Sequence, residues 1–168
     1  MRREADAAIP AIDILVESPL WNGEPEHQAI LRRAVAAAAR ETSSKPAELA
    51  IVLTDDSAIR ALNRKWRGQD KPTNVLSFPA AGGAVMAPAD APHLGDIVIA
   101  FETTAREASS QGKLFAHHLV HLAVHGYLHL LGFEHETDQK AADMERLEAD
   151  ILSQLGVPNP HCGHAAEA

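Results

Sequence analysis

The sequence predicts a single α+β domain, a small mixed four-stranded sheet covered by about five helices. Three observations predict it: four short β-branched or apolar runs, longer stretches with an apolar period of about 3.6 residues, and a length of 168 residues, enough to bury one core. Strands and helices alternate early and helices accumulate late, which places the helices over a mixed sheet.

The first strand is expected over residues 12–17, and the first helix over 24–41, Ala-rich and halted by the breaker Thr42-Ser43-Ser44-Lys45-Pro46. A second strand over 49–54 leads to a helix ending near Trp66. Asp55 or Thr54 caps that helix, because the side-chain oxygen of either accepts orphan N–H groups of the first turn. The third and fourth strands are expected over 74–78 and 96–100, with a Gly-, Ala- and Pro-loaded loop over 80–92 between them. Two helices follow, 101–112 and 114–131, stopped by Gly112 and Gly132. Thr137 caps the last helix, over 137–155, with Met144, Leu147, Ile151 and Leu155 on its inner face and Gly156 closing it. The domain is thus expected to span 1–156, and 157–168 to form a loosely attached tail.

Charged residues make up 23 % and apolar ones 46 %, which excludes wholesale disorder. A net charge of −8 repels DNA and anionic membranes on average. The only cysteine, Cys162, cannot form an internal disulfide, so a reducing cytoplasm suits the chain. The first residues carry charges but no apolar run, and Arg32 and Arg33 interrupt the most apolar later stretch, so neither export nor membrane insertion is expected. One local exception to the negative balance stands out. Arg60, Arg64, Lys65, Arg67 and Lys71 concentrate a third of the 15 Lys and Arg residues and suit an anionic ligand.

The chemistry concentrates in the late helix. His117, His118, His121, His125 and His129 lie along it and His135 follows. Histidines four apart share a helix face with Cβ atoms about 5–6 Å apart, close enough to share an ion. His121, His125 and His129 cannot all do so, because eight residues rise about 12 Å while nitrogen–metal bonds are near 2 Å. Gly132 permits the turn that brings His135 back, which selects His125, His129 and His135 as metal ligands. Three imidazoles leave one tetrahedral position open to water, the arrangement of a catalytic site. His118 and His121 read as core residues or outer partners of the ligands. Asp96 either orients a ligand histidine or occupies a strand edge. The tail group His161, Cys162 and His164 is too tightly spaced for a closed metal site.

The run His125-Gly-Tyr-Leu-His129-Leu-Leu-Gly132-Phe-Glu-His135 resembles the metal-binding signature of the YbeY endoribonuclease family. The blocks from Leu62 to Pro79 and from Leu94 to Ile99 resemble that family's other motifs, in the same order. Glu134 stands where the family often has Asp, and the tail matches nothing in it. The resemblance implies a zinc-dependent, single-strand-directed endoribonuclease. Its implied work is ribosomal RNA maturation, notably at the 3′ end of the small-subunit RNA, and ribosome quality control. Ribosomal RNA and pre-ribosomal particles or ribosomal proteins would be its partners. It also implies that Arg67 faces the substrate phosphate. A guanidinium suits that role, being always charged and offering paired N–H donors. Arg60, Arg64 and Arg67 fall at i, i+4 and i+7, a basic stripe on which Arg64, with Lys71 beyond, is a candidate RNA contact.

The helix-turn pattern also resembles the metzincin proteases, but Gly126 occupies the place of their catalytic glutamate, so a zinc peptidase is the lesser reading. A non-catalytic ribosome-assembly factor with a structural metal is the other alternative.

Overall fold

The computed structural model describes residues 10–23, 26–80 and 93–160. Strand β1 (Ala11–Val16) leads through a 3-10 turn (Pro19–Trp21) to helix α1 (Glu26–Glu41), β2 (Glu48–Thr54), α2 (Asp56–Arg67), β3 (Val75–Pro79) and β4 (His93–Ala100). Helices α3 (Phe101–Ser110), α4 (Phe115–Leu130) and α5 (Asp138–Gln154) complete it. The strand order is β1-β2-β4-β3, with β1, β2 and β4 parallel and β3 antiparallel to β4 at the edge. This is the mixed four-stranded sheet with five α-helices that the sequence predicts.

The helix starts follow from local chemistry. Asp55, rather than Thr54, caps α2 by accepting from the Ala58 N–H at 2.9 Å, and Thr137 caps α5 by accepting from the Lys140 N–H at 3.1 Å. The 3-10 turn was not foreseen. It buries Trp21, whose Nε1–H donates to the Thr54 carbonyl at 2.8 Å and ties the turn to the end of β2.

Alternation along the strands divides the core between the two faces of the sheet. Leu49, Ile51, Leu53, Ile97 and Ile99 pack with α1, α4 and α5 in the main core. On the other face Val98 and Ala100 pack with Ile59 of α2, against Val52, Leu76 and Phe78. Helix α2 and helix α4 therefore lie on opposite faces, a separation that the functional site must bridge.

Strand β4 begins three residues before its expected start, through an irregularity: Glu48 pairs with His93, but Leu49 pairs with Gly95. Gly95 has φ +136, and a Cβ there would lie 2.2 Å from the Phe78 carbonyl oxygen, so only glycine fits the bulge. Of the expected loop over 80–92, Ala80 extends the pairing by donating to the Leu94 carbonyl at 2.9 Å. Residues 81–92 lie outside the described residues.

Val157 is buried in the main core and its N–H bonds the Leu152 carbonyl at 2.9 Å, because the turn at Gly156 folds it back onto α5. His161, Cys162 and His164 lie outside the described residues. No described helix is long and apolar enough to cross a membrane.

Candidate metal centre

Helix α4 ends in a turn that does two jobs. Gly132 (φ +104) allows its own N–H to bond the His129 carbonyl at 3.0 Å and the Phe133 N–H to bond the Leu128 carbonyl at 3.0 Å, a Schellman closure. The chain that turns back carries His135 towards the helix. It also sets the Phe133 carbonyl 2.9 Å from His129 Nδ1. Ligand atoms of His125, His129 and His135 lie within 4.8 Å of one another, the convergence that the spacing predicts.

The hydrogen bonds around these rings fix their tautomers. A carbonyl oxygen only accepts, so His129 Nδ1 carries a proton and, in the neutral ring, Nε2 is the lone pair. His125 Nδ1 is in direct hydrogen-bond contact with the Glu148 carboxylate, so in the neutral ring Nδ1 is the donor and Nε2 the lone pair. These two Nε2 atoms face each other at 3.0 Å. Two lone pairs so placed repel unless a proton or a metal ion lies between them, and two donors on one tetrahedral ion with bonds near 2 Å sit about 3.3 Å apart. The donor set therefore fits a metal. The C-terminal end of α4, with its partial negative charge, favours a cation at the same place. Burial and the neighbouring His125 hold His129 below the ordinary imidazole range, so protons compete little for it near neutrality.

A second convergent group, His121, His125 and Glu148, overlaps the first. His125 cannot serve both unless its ring becomes a bridging imidazolate. In the structure His125 Nδ1 and the Glu148 carboxylate are in direct contact.

The trihistidine group opens into a cavity of about 770 Å³ whose walls include Arg67, Asn74, Ser77 and His121. Arg67 leaves the end of α2 on the far face of the sheet and wraps edge strand β3. Its guanidinium donates to the Ser77 carbonyl at 2.8 Å and lies 5.0 Å from the Phe78 ring centre. An exposed cation is thus held over the cavity that the histidines line from the other face.

The rest of the basic stripe goes elsewhere. Arg60 is drawn into an ion pair with Asp70 at 2.8 Å, and Lys65 lies over Trp66. Arg64 and Lys71 are not among the residues lining the cavity. Arg64 sits a turn further back on α2, and the Lys71 carbonyl is pinned to Asn63 Nδ2 at 2.9 Å.

His118 is a buried core residue with Nε2 2.8 Å from Glu107 Oε1, whereas His121 lies 3.3 Å from Glu148, the carboxylate that also contacts His125. Burial outweighs the Glu107 bond and pushes the His118 pKa down. Asp96 orients no ligand: its carboxylate lies 3.5 Å from His93. The carboxylate that touches a ligand ring is Glu148, which sequence reasoning missed. A signal existed, since Glu148 is an acid set four residues after Met144 and three before Ile151 on the apolar stripe of α5.

Gly126 has a structural explanation. A Cβ there would meet Ile97 Cγ2 at 2.9 Å and Ser77 Oγ at 3.1 Å, and the Ser77 hydroxyl donates to the Gly126 carbonyl at 3.2 Å. Helix α4 crosses β3 and β4 at this point, where any side chain would have to displace Ile97 and Ser77. The position occupied by a glutamate in metzincins is here a helix–sheet contact.

Comparison with known proteins places these observations in a family context. A family model described as Endoribonuclease YbeY matches residues 20–156. A protein of that name from Rhodopseudomonas palustris (strain BisB18) is 56 % identical over 155 residues, covering 90 % of this chain and 92 % of its own. Another from Rhodopseudomonas palustris (strain BisA53) is 54 % identical, covering 90 % of each chain. The solution structure of TM1509 from Thermotoga maritima shares the fold at a TM-score of 0.54 and 23 % identity, covering 86 % of this chain and 91 % of that one.

Proposed function

Because this chain belongs to the endoribonuclease YbeY family, we propose that it is a zinc-dependent, single-strand-directed endoribonuclease of ribosomal RNA. Its work would be maturation of the 3′ end of the small-subunit RNA and ribosome quality control, in the cytoplasm and on pre-ribosomal particles. Residues 1–156 form the catalytic domain in this reading.

The observation that carries the metal assignment is the convergence of three imidazoles, with the Nε2 atoms of His125 and His129 facing each other at 3.0 Å and His135 beside them. When bound there, a divalent ion supplies Lewis-acid polarisation of a phosphate oxygen and an acidified water. Three imidazoles also suit nickel, cobalt and copper, and zinc is preferred for its availability.

Arg67 donates to the non-bridging oxygens of the scissile phosphate and stabilises the charge that builds there during cleavage. Its bond to the Ser77 carbonyl and its contact with Phe78 hold the guanidinium over the cavity before substrate arrives. Arg64 and Lys71 contact the RNA backbone outside the cavity wall. Peptide hydrolysis is disfavoured, since the glutamate it needs would have to occupy the space of Ile97 and Ser77 beside Gly126.

The test offers the zinc-loaded protein single-stranded RNA, duplex RNA and casein. Cleavage of single-stranded RNA alone, stopped by chelation and restored by zinc, is expected. Cleavage of casein, or of RNA at an undiminished rate after chelation, contradicts the reading.

A further inference from the structure

The metal reading accounts for three histidines and leaves a buried acid unexplained. Glu148 is 1 % exposed, on the inner face of α5. A carboxylate taken out of water costs several kcal/mol, on the order of magnitude typical for buried ions, unless partners compensate it. The partners here are two imidazoles of α4: His125 Nδ1 touches Oε2, and His121 Nε2 lies 3.3 Å from Oε1. The two rings sit one turn apart on α4, so one carboxylate spans both.

We propose that Glu148 is a positioning residue of the metal centre. It accepts the Nδ1 proton of His125, directs that ring's Nε2 at the ion and makes it a stronger donor, while His121 clamps the other carboxylate oxygen. This rests on the metal reading above and deepens it. Three neutral imidazoles bring no charge to a divalent ion, and Glu148 supplies one negative charge just behind a ligand, where it offsets part of the ion's own. The carbonyl of Phe133 does the corresponding work for His129 without a charge. The two ligands on α4 are therefore oriented from opposite sides, one by the next helix and one by the turn at Gly132.

Zinc affinity measured by competition with a chromogenic chelator tests this, on metal-stripped wild type and on Glu148→Gln, Glu148→Asp, His129→Ala and His135→Ala. Cobalt(II) absorption reports the coordination. Glu148→Gln is expected to bind zinc about 10- to 100-fold more weakly, with displaced cobalt bands. Glu148→Asp, which keeps the charge but withdraws it by one methylene, is expected to recover only part of the loss. A merely structural acid would instead lower the melting temperature of the metal-free protein and leave the affinity and the bands of the folded variant unchanged. Wild-type affinity and bands in folded Glu148→Gln overturn the proposal and leave the metal reading intact. Should that variant fail to fold, the same result in Glu148→Asp overturns it. Loss of all binding in Glu148→Gln with His135→Ala still loaded assigns the ion to His121, His125 and Glu148 and also overturns it. Zinc absent from wild type, or retained in His129→Ala, overturns the metal reading itself.

Discussion

His129→Ala is expected to empty the metal centre and reduce RNA cleavage by more than about 100-fold, beyond the range for loss of an outer partner of a metal ligand. The reasoning is geometric. The His129 ring has its Nε2 3.0 Å from that of His125 and its Nδ1 held by the Phe133 carbonyl. Removing it leaves His125 on α4 and His135 beyond the turn, two donors that do not enclose an ion. Because bound metal stabilises the folded state only, the variant should also lose the rise in melting temperature that zinc gives the wild type. Elemental analysis, RNA cleavage and a melting curve with and without zinc check the three parts together. Retention of one ion per chain would sink the ligand assignment.

Arg67→Ala is expected to lower kcat by about 100- to 1,000-fold, or ~3 to 4 kcal/mol of transition-state stabilisation, the range for removing a donor aimed at developing charge. Metal content and melting temperature should barely move, since the side chain is exposed and its partners are the Ser77 carbonyl and the Phe78 ring. Arg67→Lys keeps the charge but loses the paired N–H geometry, and should recover only a fraction of the rate. Single-turnover cleavage separates this from a binding defect, which would raise KM instead. The prediction also discriminates against a non-catalytic assembly factor with a structural metal, for which Arg67→Ala would leave any residual cleavage unchanged.

How much of this was legible in the sequence depends on the range of the interaction. The convergence of the three imidazoles was, because His125 and His129 are related by one helical turn and Gly132 is the local device that returns His135. The sheet elements were as well, from their β-branched runs. The 3-10 turn at Trp21 was not, since its reason is a bond to Thr54, 33 residues away. The bulge at Gly95 was not, since only the Phe78 backbone across the sheet excludes a side chain there. Glu148 illustrates the limit at the site. Its place on the apolar stripe of α5 could be read from spacing, but its partner could not, because that requires knowing that α5 packs on α4. Asp96, which the sequence offers either as an orienting acid or as a strand-edge residue, lies 3.5 Å from His93. The basic stripe shows the converse error of treating helical spacing as shared purpose. Arg60 is tied to Asp70, whereas Arg67, at the helix end, reaches round the edge strand to the cavity.

Elemental analysis joined to metal-edge X-ray absorption, on wild-type protein purified without an affinity column, interrogates the imidazole cluster at the end of α4 most directly. One zinc per chain, with three imidazole nitrogens at about 2.0 Å and a light-atom fourth neighbour, is the result that follows from the geometry described. Protein that holds no zinc even after incubation with excess metal, or zinc bound through sulfur or by fewer than three imidazoles, would contradict it.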